Sequence, residues 1–239
     1  MSIYTISDIH GCYDEFMALL EQIQFNPEHD TLYVLGDVVD RGEKPLDCLR
    51  YIMRTKNVHF LLGNHEDMML AYYDDPSSAG AIRWYRNGYQ TTLAQFNELS
   101  ETERCKILAF IKKSPLYKTV KLKDRRYFLS HAGLDPSKSF NKQTSEDLTW
   151  SRKEFYSAKA LDKYSVIFGH NITPFLRESM NEDKHDCSIW FDKTYSDKIC
   201  IDGGCVYGGA LIALRLDDEA VFYVKSSRGE QAAKMFFKS

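Results

Sequence analysis

Five times along this chain a short apolar run ends on side chains of the metal-ligating kind. Residues 32–35 lead into Gly36 and Asp37, with Asp40 and Arg41 close behind. Residues 3–7 lead to Asp8 and His10, residues 58–62 to Asn64, His65 and Glu66, residues 127–130 to His131, and residues 166–168 to His170. A short apolar run bounded by turn residues reads as a buried strand, and open α/β sheets bind ligands beyond the carboxyl ends of their strands. Asp37, Asp40 and Arg41 lie within five positions and are costly to bury unless something pairs with them. A metal would satisfy the acids and a phosphate the arginine.

The order of elements follows from periodicity. Phe16, Leu19, Leu20 and Ile23 lie on one helical face, as do Leu46, Leu49, Ile52 and Met53. With a third helix after Asn64, the first third of the chain reads β-α-β-α-β-α, which predicts a mainly parallel sheet covered by helices. Asp74-Asp75-Pro76-Ser77-Ser78 interrupts this, and a helical insertion is expected over about residues 79–113. Beyond Pro115, short strands at 117–122, 127–130, 166–168, 188–190, 198–201, 210–215 and 220–224 predict an antiparallel or mixed second sheet. The 239 residues carry no repeat and no clear linker, so one α/β domain spanning 1–239 is expected.

Composition excludes more than it proposes. A net charge of −3 with scattered Lys and Arg gives no reason to expect nucleic-acid or membrane binding. The first residues lack the pattern of a signal peptide, and no apolar run approaches the roughly 18 residues of a membrane span. A cytoplasmic location is the default expectation. The six cysteines show no C-x-x-C spacing and read as free thiols. Cys12 and Cys205, near candidate site segments, read as small buried residues, with thiol ligation or oxidation as the alternative.

Asp8 and His10, two apart at a strand end, point to the same side. A carboxylate with an imidazole suits Mn, Fe or Zn better than Ca or Mg. Asp37 is placed where a carboxylate can bridge two ions, with Asn64, His131 and His170 available to complete the second. His29, His59 and His185 have no such setting and read as ordinary surface or strand residues.

Taken in order, Asp8-Ile9-His10-Gly11, Gly36-Asp37-Val38-Val39-Asp40-Arg41-Gly42, Gly63-Asn64-His65-Glu66, His131-Ala132-Gly133 and Gly169-His170 resemble the signatures of the bacterial phosphoprotein-phosphatase family, within the calcineurin-like metallophosphoesterases. The resemblance implies a β-sandwich of two mixed sheets flanked by helices. It implies two divalent transition-metal ions, manganese first, held by Asp8, His10 and Asp37 and by Asp37, Asn64, His131 and His170. A metal-bridging hydroxide would attack phosphorus without a covalent enzyme intermediate. Arg41 and Arg152 resemble the phosphate-binding arginines, His65 the general acid, and Asp40 the residue that orients it.

Asp202 to Gly209 resembles a closing loop in which Tyr207 either touches substrate or packs. Trp84-Tyr85-Arg86-Asn87-Gly88 resembles a cap segment, with surface exposure the expectation for Arg83 and Arg86 and contact with substrate the alternative. The expected activity is hydrolysis of phosphoserine or phosphothreonine, on a phosphoprotein or a small phosphorylated substrate. The alternative is a symmetrical dinucleoside-tetraphosphate hydrolase or related phosphodiesterase, and the third reading is a non-catalytic binding module. Glu66, where the dinucleotide branch tends to carry aspartate, and the intact Val39-Asp40-Arg41 favour the first. The tail with Met235-Phe236-Phe237 has no assignment.

Overall fold

The computed structural model describes residues 1–123 and 125–229; the Met235-Phe236-Phe237 segment lies outside the described residues. The strands are β1 (Ile3–Ile6), β2 (Thr31–Val34), β3 (Val58–Phe60), β4 (Tyr117–Leu122), β5 (Arg125–Ser130), β6 (Ser165–Phe168), β7 (Trp190–Phe191), β8 (Lys198–Cys200), β9 (Ala210–Arg215) and β10 (Val221–Lys225). The helices are α1 (Tyr13–Gln22), α2 (Pro45–Arg54), α3 (Asn64–Asp74), α4 (Ala79–Trp84), α5 (Gln90–Asn97), α6 (Glu101–Lys113), α7 (Ser145–Thr149), α8 (Lys153–Tyr156) and α9 (Thr173–Ser179).

One sheet runs β10-β9-β1-β2-β3, the other β4-β5-β6-β8-β7, and both are mixed. β1, β2 and β3 pair in parallel, as βαβ alternation demands, and β5, β6 and β8 do the same in the second sheet. The sheets face each other across Tyr33, Leu35, Leu129, Ile167, Ile199 and Ile212, while the helices cover their outer faces. The chain therefore has the sandwich of two mixed sheets flanked by helices.

One expectation is corrected. The strands at 210–215 and 221–225 leave the second sheet and pair antiparallel beside β1 in the first. β9 is buried on both sides: Ile212 and Leu214 face the opposite sheet, and Leu211 and Ala213 face the helical layer. An all-apolar strand of this kind belongs in a covered sheet interior, and its alternation says nothing about which sheet. The insertion is three helices, α4, α5 and α6, packed on α2 and α3. Among the described residues no helix is long and apolar enough to cross a membrane.

Candidate metal centre and phosphate cavity

The loops after β1 and β2 zip together: His10 N–H donates to Asp37 O at 2.9 Å and Gly11 N–H to Val38 O at 2.9 Å. Glu66, in the first turn of α3, fixes the next loop to them. Its carboxylate accepts N–H bonds from Asp37 (2.9 Å), Val38 (2.8 Å), Val39 (3.1 Å) and Gly63 (3.2 Å). Four donors on one buried carboxylate make Glu66 the clasp of the site, so its identity speaks to loop architecture and not to substrate class. Gly63 has no room for a side chain, since a Cβ there would sit 2.3 Å from Asp37 Oδ1.

Asp8, His10, Asp37, Asp40, Arg41 and His170 all have positive φ. Non-glycine residues pay for such backbone with strain, which persists only where the surroundings enforce it and which gathers at functional sites. The strain turns the polar side chains off their strand ends into one place.

Asp37 Oδ2 lies 3.4 Å from His131 Nε2, 3.6 Å from His10 Nε2 and 3.9 Å from His65 Nε2. Asn64 Oδ1 lies 2.8 Å from His131 Nε2 and 2.9 Å from His170 Nδ1, and those nitrogens are 3.2 Å apart. His10 and His131 each turn Nδ1 to a backbone carbonyl, of Val39 (2.7 Å) and Leu35 (2.8 Å). That fixes Nε2 toward the centre, the usual outer support of a metal-ligating histidine. Candidate metal groups form from Asp37, His131 and His170 and from His10, Asp37 and His65. Asp8 stands beside them, held through Oδ2 by Ser7 Oγ and His170 N–H.

The charged groups of the centre shift one another strongly. Burial alone would push His131 down, yet the carboxylates of Asp37 and Asp8 raise it to about 10. Burial pushes Asp37 up, but the facing imidazoles of His131, His65 and His10 override it and hold the carboxyl well below the ordinary range. Burial and then the Asp37 charge raise Asp8 to about 6. His10 and His170 are held well below the usual imidazole range by burial, with Arg41 and His131 respectively as the next cause. Carboxylate, carboxamide and imidazole donors converge at metal-ligand spacing, so the residues fit divalent transition ions.

All of the predicted site residues except Asp40 and His131, which are buried behind the rim, line one cavity of about 540 Å³. Its size is that of a small-molecule site. Arg41 reaches His10 Nε2, so the guanidinium and an ion compete for that lone pair. Tyr207 lies beneath the same guanidinium, 5.4 Å from ring centroid to Cζ. Arg152 is held by Asn171, whose Oδ1 accepts from Nη1 at 3.2 Å. Arg83 is exposed and stacks on Trp150, whereas Arg86 forms part of the cavity wall.

Sequence reasoning missed Asp202, which is buried in the wall beside Asp8. Burial, then the Asp8 charge, raises its carboxyl well above the ordinary range. Its signal was the same as for the others, a polar residue just beyond a strand end. The six cysteines are free; Cys12 and Cys205 meet in the core near Glu15.

A sandwich with this centre at its strand ends defines a metal-dependent phosphoesterase, and the chain belongs to the calcineurin-like phosphoesterase family, whose profile matches residues 1–211. It is similar to the symmetrical bis(5'-nucleosyl)-tetraphosphatase of Cronobacter sakazakii, 27% identical across 95% of both chains. In structure it is similar to a protein carrying the provisional name diadenosine tetraphosphatase (TM-score 0.72, 21% identity, 95% of both chains). A serine/threonine phosphatase of Saccharomyces cerevisiae shares the fold at TM-score 0.60 and 15% identity, over 95% of this chain and 79% of that one.

Proposed function

We propose that this chain, acting as one domain, hydrolyses symmetrical dinucleoside tetraphosphates, breaking the central phosphoanhydride to give two nucleoside diphosphates. The observation that carries this reading is the presence of three guanidiniums, Arg41, Arg86 and Arg152, on one cavity beside Asp37. A single phosphoryl group is gripped by one or two such forks, whereas a tetraphosphate presents a row of anionic oxygens to match a third. The end-to-end similarity to the Cronobacter enzyme supports it.

Asp8, His10 and Asp37 would hold one divalent ion, and Asp37, Asn64, His131 and His170 the other. When bound, the ions supply Lewis acidity that acidifies water and neutralises phosphoryl oxygens. The chain's own groups do the remainder. Arg41 and Arg152 orient the phosphate at the reacting centre and Arg86 the next one out. His65, held at Nδ1 by Asp40 Oδ2 at 2.6 Å, presents Nε2 as proton donor to the leaving oxygen.

That last pair favours the second reading, hydrolysis of phosphoserine or phosphothreonine. A nucleoside diphosphate leaves readily without a proton, whereas a serine or threonine alkoxide does not. Side-by-side turnover with manganese distinguishes them. The proposed reading expects diadenosine tetraphosphate to show the higher kcat/KM and ADP to be the sole nucleotide product; higher kcat/KM on phosphopeptides would replace it with the second. Arg86→Ala is expected to lower kcat/KM for the tetraphosphate about ten- to a hundredfold, the worth of a charge-assisted bond, with a far smaller change on 4-nitrophenyl phosphate.

A further inference from the structure

The helical insertion grips the reacting centre at the Asp40–Arg41 turn. Asp40 and Arg41 are consecutive residues in left-handed backbone, at φ of 71° and 66°. Each costs about 1–2 kcal/mol and has to be held from outside. Three bonds from the insertion hold them. Thr92 Oγ1 accepts the Asp40 N–H at 2.8 Å, Gly88 O accepts the Arg41 N–H at 2.9 Å, and Trp84 Nε1–H donates to Asp40 Oδ2 at 2.7 Å. Gly88 itself is at φ +88°, and a Cβ there would lie 2.7 Å from Arg41 Cγ, so the two segments are in close contact.

The Trp84 bond falls on the atom that matters. Asp40 Oδ2 also receives His65 Nδ1 at 2.6 Å, while Asp40 Oδ1 is buried with no hydrogen-bond partner among the described residues. The carboxylate's rotation about its Cβ is thus set by two donors on one oxygen, and water is shut out, because Trp84, Asp40 and His65 are all almost fully buried. The indole cannot drift, with Tyr72 and Tyr89 rings 5.1 and 5.6 Å from it. A fixed Oδ2 fixes the His65 ring, whose Nε2 then faces the cavity 3.9 Å from Asp37 Oδ2.

We propose that Trp84 is a positioning residue for proton donation: its indole N–H locks Asp40, and through Asp40 it aims His65 at the leaving oxygen. The insertion is then part of the catalytic geometry and not only a wall of the cavity. Outer partners of catalytic groups act in this way, by removing the rotational freedom of the group that touches substrate. The proposal rests on the reading of His65 as the donor.

The test compares manganese-loaded variants of the full chain on a series running from 4-nitrophenyl phosphate through phenyl phosphate to an alkyl phosphate. His65→Asn comes first. If its loss does not grow as the leaving group becomes more basic, the reading of His65 fails, independently of Trp84. If it does grow, Trp84→Phe, which keeps an aromatic ring but loses the N–H, is expected to lose about tenfold on the alkyl ester and under twofold on the nitrophenyl ester. Added to His65→Asn, it should cost nothing further across the series. A loss uniform across the series, or one additive with His65→Asn, would overturn the proposal and leave Trp84 as packing. Should Trp84→Phe not fold, the indole N–H resonances of 15N-tryptophan-labelled wild-type chain and Asp40→Asn decide. One resonance is expected to move on loss of the carboxylate, and none moving would overturn it.

Discussion

Asp37→Asn is expected to bring phosphoester hydrolysis close to background. The loss should exceed the about 10–100-fold that follows from removing an outer partner of a metal ligand. The reason is position: Asp37 Oδ2 is within 4 Å of three imidazole nitrogens, and among the described residues no other carboxylate shares that place. The amide keeps shape, and its oxygen still accepts the His65 N–H bond that Oδ1 takes at 3.0 Å. The variant should therefore fold, lose manganese content and lose kcat together. Full manganese content with wild-type turnover would remove Asp37 from the centre of the site.

Glu66→Gln is expected to show a large stability effect for an isosteric change. Glutamine keeps one acceptor oxygen, but its amino group has to face two backbone N–H groups that now lack a partner. An unsatisfied buried donor costs about 1–3 kcal/mol. Two of them give about 3–5 kcal/mol, a drop in Tm on the order of 10 °C for a chain of this size. Activity should fall with stability, because the same carboxylate ties the Asp37 loop to the Asn64 loop. Calorimetry of the metal-free protein measures it, and a Tm within about 2 °C of wild type would show that the clasp is not needed.

Much of the site was legible because its grammar is local. A strand, then a turn, then a ligand is visible within ten residues, and the centre gathers His10, Asp37, Asn64, His131 and His170 as that grammar implies. What was not legible depends on contacts between distant segments. The Trp84–Asp40 bond joins positions 44 apart and the Thr92–Asp40 bond positions 52 apart, with no pattern in either segment pointing to the other. β9 and β10 read correctly as strands, but alternation cannot choose a sheet, and the choice falls to whichever partner buries both faces of β9. Glu66 suggests a substrate class only through the aspartate that the dinucleotide branch tends to carry there, yet its carboxylate is occupied by backbone amides. For Arg86 the sequence leaves surface exposure and contact with substrate both open, and its place is both at once, an exposed guanidinium on the cavity wall.

The centre itself is best tested by anomalous diffraction at the manganese edge from crystals of the manganese-loaded protein. Two peaks sharing Asp37, one on the side of Asp8 and His10 and the other on the side of Asn64, His131 and His170, are what the arrangement of donors predicts. A map with no peak at Asp37, or with manganese only at Cys12, Glu15 and Cys205, would contradict it.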